Sequence, residues 1–374
     1  MKYFFVLGRN PELSLMEIFS YAKREENLVL SCTQKQNSAI IDFSKPLQNN
    51  AISKLGGVIS IGQILSHGKL NDVILQLEKQ EIYFQKKNNF SYALLNFADE
   101  GSLNKISEYL KKRFKSERLK ASEKRTRREM NLQEGEKTFG VYSGSLIDEQ
   151  YFLFMKGGEL YFGRVIQKCN YVEIEKRDMK KPVRREELSI SPRLAKIMIN
   201  FSEVKESQSL LDPFCGIGVI LQEALLQNIN VRGIDKDANA ILGAKQNLEW
   251  FGFPKEKFSL IAGDSKRINL RQSEVLVTEP DFGETLKKIP SIEKASQMQK
   301  TFEQLIISVL NNTKNRVNRR IVFTAPLIKL GKKRLSCNIE NILEKTRLKL
   351  VKGFPIQEFR PSQIVGREVY VLEH

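Results

Sequence analysis

The run Asp212-Pro213-Phe214-Cys215-Gly216-Ile217-Gly218 sets a carboxylate, an aromatic ring and two glycines directly after the apolar pair Leu210-Leu211. It reads as a short buried strand that turns sharply into a helix, with glycines that let the backbone approach a ligand closely. A second apolar stretch, Val231-Arg232-Gly233-Ile234, ends in Asp235, where a carboxylate can accept both hydroxyls of a ribose. A third, Phe258 to Ala262, runs into Gly263-Asp264 and places a carboxylate where the amino group of adenine could be met. The turn has neither the GxxxxGK[ST] of a phosphate loop nor the spacing of the dinucleotide fingerprint. The expected ligand is therefore a nucleoside without phosphates, which suggests S-adenosylmethionine. Its expected contacts are Asp212, Phe214, Gly216, Gly218, Asp235 and Asp264.

The fourth strand of this series, Val275 to Thr278, ends in Glu279-Pro280-Asp281-Phe282-Gly283. Ligands of open α/β sheets bind at the carboxyl ends of the strands, so this tip is the expected place of the reacting atom. Simpler roles stand beside these. Asp212 could cap the following helix, Asp264 could be a turn residue, and Phe282 could belong to the core. Cys215 reads as a small packing residue, since neither histidine, His67 or His374, is near it in sequence. Asn247 and Trp250 read as helix packing. Asp235 is hardest to assign to structure alone.

The elements that must position these residues alternate from Leu210 onward as strand and helix, which argues a doubly wound, mostly parallel sheet. Arg320 to Thr324, Leu348 to Val351 and Glu368 to Leu372 supply its last strands. Ser191-Pro192 is placed to cap the helix ahead of the first strand. Residues 1–67 read as βαββαβ, the ferredoxin-like order. Residues 68–168 read as a second α+β module, with a hairpin at Gly157-Gly158. Residues 169–187 form a charged, proline-containing connector, and 188–374 the nucleoside-binding domain.

Lys and Arg number 61 against 44 Asp and Glu, a net charge of +17 over 374 residues, which favours a polyanionic partner, nucleic acid first. The charge is clustered. Ten basic and two acidic residues lie between Lys111 and Arg128, a density suited to tracking phosphates. No apolar run approaches the roughly 20 residues of a membrane span, and the N-terminus is too short in apolar length for a signal peptide. The four cysteines are scattered, without disulfide or metal spacing. A reduced, cytoplasmic protein without membrane or metal is expected.

Taken together, the 212–218 run, Asp235, Asp264 and the Glu-Pro-x-Phe-Gly tip resemble the class I S-adenosylmethionine-dependent methyltransferases that modify exocyclic amines. The nearest likeness is to the THUMP-domain tRNA guanine-N2 methyltransferases acting on guanosine 10. The opening from Phe4 to Ser14 and the stretch Arg177-Asp178 … Pro182 … Ser191-Pro192-Arg193-Leu194-Ala195 extend that likeness over essentially the whole chain. The resemblance implies a Rossmann-like methyltransferase domain behind THUMP-like RNA-binding modules, with tRNA as the partner. Some relatives also need a small activating subunit. Lys111, Lys112, Arg113, Lys115, Arg118, Lys124, Arg125, Arg127 and Arg128 are then candidates to grip tRNA.

The family pattern at the reacting tip is Asp/Asn/Ser-Pro-Pro-Tyr/Phe/Trp, so Glu279 and Asp281 depart from it. Such a tip has a defined task. An exocyclic amine is a poor nucleophile because its lone pair delocalises into the ring. Two acceptors, a side-chain oxygen and the Pro280 carbonyl, can hold its N–H groups and turn the lone pair toward the methyl donor. Glu279 would be the side-chain acceptor, and Asp281 a second acceptor or its replacement. Phe282 would stack on the flipped base. Two other functions share part of the pattern: an amine methyltransferase with another base or DNA as target, and an inactive RNA-binding relative.

Overall fold

The computed structural model describes residues 1–124, 128–133, 137–140, 147–185 and 190–374, with the backbone alone at 128–131 and 137–140. In chain order the first elements are β1 (Lys2–Leu7), α1 (Pro11–Arg24), β2 (Val29–Lys35), β3 (Ser38–Phe43), α2 (Ala51–Lys54) and β4 (Val58–Gly68). They are followed by α3 (Leu70–Glu78), β5 (Asn89–Phe97), α4 (Glu100–Ser116), β6 (Lys120–Glu123), β7 (Arg128–Asn131), β8 (Lys137–Gly140), β9 (Glu149–Lys156) and β10 (Glu159–Lys168). The βαββαβ order of the first 68 residues is present. One eight-stranded sheet, β2-β3-β1-β4-β10-β9-β5-β6, nevertheless runs through both expected N-terminal modules, because β4 continues to Gly68 and pairs along its length with β10. The Gly157-Gly158 turn joins β9 to β10 with both φ angles positive, 62° and 80°, as a two-residue hairpin turn requires.

The second half contains α5 (Tyr171–Lys180), α6 (Pro192–Phe201), β11 (Ser209–Asp212), α7 (Val219–Leu225), β12 (Asn230–Asp235), α8 (Ala238–Trp250), β13 (Phe258–Ala262) and β14 (Val275–Thr278). Next come α9 (Ile292–Thr313), β15 (Ile321–Leu330), β16 (Lys333–Leu335), α10 (Ile339–Thr346), β17 (Lys349–Leu350), β18 (Ile356–Glu358) and β19 (Val365–Glu373). The strand order is β13-β12-β11-β14-β15-β19-β17. Strands β13, β12, β11, β14 and β15 are parallel to one another, while β19 runs antiparallel to both β15 and β17. This is the Rossmann-like methyltransferase fold.

Contacts divide the chain into two compact units. One holds residues 1–11, 27–53 and 58–171; the other holds 12–26, 54–57 and 172–374. Helix α1 therefore packs with the second unit, although its sequence lies inside the expected first module. Its Glu17 accepts from Gly56 N (2.6 Å), Gly57 N (2.7 Å) and Asn200 Nδ2 (2.9 Å), all within that unit. The expected connector also differs from a plain linker, because ten of its residues form α5.

Period-two alternation buries both faces of the second sheet. Leu210, Val275, Val277 and Val322 face the core under α6 and α7. Leu211, Leu276, Ile321 and Phe323 face the core under α9 and α10. Ser191 caps α6 by accepting from Leu194 N, with Pro192 in its first turn, as expected. Among the described residues no helix is long and apolar enough to cross a membrane.

Candidate active site

The parallel strands β11, β12, β13 and β14 end on the same edge of the sheet, and a cleft of about 1120 Å³ opens there. Asp212, Phe214, Gly216, Asp235, Asp264 and all of Glu279–Phe282 line it. Of the residues expected to form the site, Gly218 does not line the cleft. It adopts the left-handed conformation (φ 87°) and caps α7, and a Cβ there would stand 3.3 Å from that of Ala244. Its part is to let the turn close.

The turn is locked by carboxylates. Asp212 is 1% exposed. Its Oδ1 accepts from Thr278 Oγ1 (2.6 Å) and from Phe214 N (3.1 Å). Burial pushes its carboxyl up to about 7, against those two hydrogen bonds. Asp212 thus ties the tip of β11 to that of β14 and shapes the loop rather than capping a helix. Asp235 accepts from Gly216 N through Oδ2 and from Asp237 N through Oδ1, both at 2.9 Å. Each oxygen keeps acceptor capacity toward the cleft, since a carboxylate offers about four sites. Asp264 is exposed, and its Oδ1 accepts from Lys266 N (3.0 Å), so it closes a turn and still lines the cleft. Burial pushes the Cys215 thiol up, which fits packing and not nucleophilic chemistry.

Asn247 does more than pack a helix. Its Nδ2 donates to Val183 O (3.1 Å) and Ile217 O (3.0 Å), and its Oδ1 accepts from Val183 N (2.9 Å). One side chain thereby pins the glycine turn to the segment ahead of α6. Trp250, by contrast, is 46% exposed, so its expected packing role is not what the fold gives it.

At the tip of β14 the arrangement is less local. Glu279 forms an ion pair with Arg367 of β19. Arg367 Nε lies 2.5 Å from Oε1, and a second nitrogen lies 3.4 Å from Oε2. Thr324 Oγ1 also donates to Oε1 (3.4 Å). Burial works against the Arg367 cation, yet Glu279 outweighs it and holds its ionisation above the ordinary arginine value. The guanidinium carbon lies 5.8 Å from the centre of the Phe282 ring, and that ring meets Phe302 edge-on at 6.1 Å. Phe282 is only partly buried, so it belongs to the core margin and to the cleft at once. Asp281 is exposed, and its Oδ1 accepts from Gly283 N (2.9 Å). This side-chain turn restrains the loop where the family pattern has its second proline.

Arg367, Thr324 and Thr278 were not singled out by sequence reasoning. The only signal for Arg367 is indirect: an unusual glutamate at a strand tip calls for a countercharge. Arg185, which the sequence offers only as one of a basic cluster at Lys176 to Arg185, lines the cleft and pairs with Asp237 (2.6 Å). Among the described residues no group of three or more His, Cys, Asp or Glu could hold a metal ion.

The basic residues expected to meet RNA lie in the other unit and fall into classes. Arg113 donates to Leu77 O (2.9 Å) and Gln80 O (3.2 Å), capping the end of α3. Lys111 pairs with Glu123 (3.0 Å) and Lys112 with Glu108 (2.7 Å). Lys115, Arg118 and Lys124 are exposed. Arg125, Arg127 and the side chain of Arg128 lie outside the described residues.

Residues 181–324 match the UPF0020 family, an RMKL-like methyltransferase domain. A tRNA (guanine(10)-N2)-dimethyltransferase of Methanothermobacter thermautotrophicus is 36% identical over 115 residues, 30% of this chain and 33% of that protein. A probable tRNA (guanine(10)-N2)-dimethyltransferase of Methanothermococcus thermolithotrophicus is 30% identical over 109 residues, 27% of this chain and 67% of that protein. The alignment spans about a third of the length of the first three such relatives, 31 to 39%. Among solved structures, TrmN from Thermus thermophilus superposes with a TM-score of 0.56 at 12% identity, over 100% of this chain and 99% of that one, a likeness of fold. S-adenosylmethionine is the cofactor of this class, and the cleft fits it. Asp235 offers a carboxylate at a strand tip, and Gly216, in the left-handed region, would place no Cβ near any atom. The chain belongs to the class I S-adenosylmethionine-dependent tRNA guanine-N2-methyltransferase family.

Proposed function

We propose that this protein methylates the exocyclic N2 amine of a guanosine in tRNA, at position 10, using S-adenosylmethionine. One observation carries the reading: the cleft joins the Asp212, Asp235 and Asp264 strand tips to the Glu279–Phe282 turn. The names of the relatives support the substrate.

The cofactor supplies an electrophilic methyl group. Asp235 binds the ribose hydroxyls, Asp264 the adenine amine, and Asp212, Phe214, Gly216 and Gly218 shape the floor beneath them. Glu279 and the Pro280 carbonyl accept the two N–H groups of the target amine and turn its lone pair into the cleft. The carboxylate also stabilises positive charge as it develops on nitrogen. Phe282 stacks on the base, and Asp281 holds the turn through Gly283.

Residues 1–67 and 68–168 act as the RNA-binding modules, with 169–187 as the connector and the methyltransferase domain from 188 onward. Lys111, Lys112, Lys115, Arg118, Lys124, Arg125, Arg127 and Arg128 track phosphates, and Arg113 anchors the helix that presents them. A small activating subunit is a second candidate partner. The test is nucleoside mass spectrometry on unmodified tRNA incubated with the protein and isotopically labelled S-adenosylmethionine. Labelled N2-methylguanosine or N2,N2-dimethylguanosine supports the reading, and fragment mapping tests the position. Bound cofactor with no labelled guanosine, both from the protein alone and with extract of its source cells added, overturns it.

A further inference from the structure

We propose that Arg367 is a positioning residue that decides which oxygen of Glu279 meets the target amine. The inference rests on the function proposed above and adds a residue to its site.

The two oxygens of Glu279 are not equivalent. Oε1 is held by two donors, Arg367 Nε at 2.5 Å and Thr324 Oγ1 at 3.4 Å. Among the described residues Oε2 has a single donor, a second nitrogen of Arg367 at the same 3.4 Å, and no short contact like that of Oε1. Oε1 is therefore occupied in fixing the side chain, and Oε2 keeps its acceptor capacity for a substrate N–H. The extra methylene of glutamate fits this division, because the carboxylate must span from β14 to donors on β15 and β19. Thr324 is fully buried and lies one residue beyond Phe323, the register partner of Thr278. Arg367 faces Pro326 on the antiparallel pair, and its charge is supported by Glu358, its partner on β18. The same guanidinium lies beside the Phe282 ring, within the range of a cation–π contact. One arginine thus touches both the acceptor and the stacking residue of the tip.

This asymmetry makes an unusual demand on the variant Glu279→Gln. Arg367 can only donate. It will pull the amide oxygen of the glutamine into the Oε1 position and turn the NH2 group toward the substrate, where an acceptor is needed. Turnover should fall about a thousandfold, the scale of losing a preorganised charge-stabilising group. Removing the arginine as well frees the amide to flip. The double variant Glu279→Gln/Arg367→Met should then recover at least tenfold over Glu279→Gln, although it carries one more substitution. A merely structural ion pair would couple the two losses in stability, so recovery counts as kcat measured below the melting temperature of every variant, where stability no longer limits the rate. Arg367→Met alone should lower kcat about tenfold with KM for tRNA unchanged.

The experiment compares the wild-type protein and these three variants in the labelled tRNA assay. Cofactor affinity and melting temperature are measured on each preparation. Where the methionine variant melts below the assay temperature, Arg367→Gln replaces it, because its carbonyl can accept from a flipped amide. Recovery in the double variant supports the positioning role. A double variant as inactive as Glu279→Gln, with cofactor affinity intact, overturns it. So does a fully active Glu279→Gln. A wild-type protein that binds cofactor and labels no guanosine is a different failure: it removes the proposed function and this inference with it.

Discussion

The two halves of the cleft are built in opposite ways. In the cofactor half, carboxylates at strand tips hold nearby backbone. Asp235 accepts from Asp237 N two residues on, Asp212 from Phe214 N, and Asp264 from Lys266 N. In the acceptor half, the side chain at the centre depends on an arginine 88 positions away. The first half is built on local turns, which Asp212 and Asp235 also tie to Thr278 and Gly216 of neighbouring strand tips, and the centre of the second is held by tertiary contacts alone among the described residues. Local turns bind a constant ligand; a tertiary pair can be changed at one end without disturbing the other half. Substitutions should therefore separate into those that move cofactor affinity and those that move turnover.

Asp235→Ala gives the largest expected separation. Two charge-assisted hydrogen bonds to the ribose are lost, each worth about 1.5–3 kcal/mol, so the cofactor Kd should rise at least a hundredfold by titration calorimetry. A rise under threefold would break the comparison. Phe282→Ala should do the converse. Loss of a stacking platform costs about 1–3 kcal/mol per base, so kcat/KM for tRNA should drop about ten- to a hundredfold while cofactor Kd stays within twofold.

The contrast also explains what could be read in advance. The strand-tip acids and the glycine turn were legible because strand, turn and carboxylate are contiguous, and the chemistry follows from spacing. Ser191 and Pro192 announced α6 for the same reason. Arg367 was not legible, because nothing around Gly366-Arg367-Glu368 marks it, and only folding brings β19 beside β14. Asp281 reads from the sequence as a second acceptor or a replacement for Glu279; its turn with Gly283 is a further contact that the spacing does not announce. The continuity of the first sheet across residue 67, and the packing of α1 with the second unit, were hidden because both depend on long-range pairing. Arg113 looked like its basic neighbours and differs only in the carbonyls that α3 presents to it.

A third region, outside the cleft, should leave both quantities alone. Reversing Lys115, Arg118 and Lys124 to glutamate should weaken tRNA binding about tenfold. It should also flatten the dependence of log K on log salt by nearly one unit per lost phosphate contact. An unchanged slope would remove these residues from the interface.

A last prediction concerns stability and leaves the ligands aside. Asp212 titrates near 7 in the folded protein, against about 4 for a free carboxyl. Between those values the folded form holds the proton and the unfolded form does not, so this group's contribution falls as pH rises from 4 to 7 and levels off above. Asp212→Asn keeps an oxygen for Thr278 and Phe214 N and carries no charge. Melting curves from pH 4 to 8 should show its slope flattened, by on the order of 4 kcal/mol at most across that window. An identical slope in both proteins would mean that the carboxyl is solvated.

Strand β19 enters the sheet against the direction of its parallel neighbours. Parallel strands bring their last residues to the ligand edge, but a reversed strand brings its first. Ser362 to Val365, together with Arg367, line the cleft for that reason. The residues that line this end of the cleft are thus encoded at two distant addresses, one closing β14 and one opening β19. Lengthening or shortening the stretch between β18 and β19 would re-register the second address and leave the glycine turn untouched. Descendants of such a chain could change their target nucleotide while inheriting the methyl donor intact, and a designer could do the same by grafting a single hairpin entry.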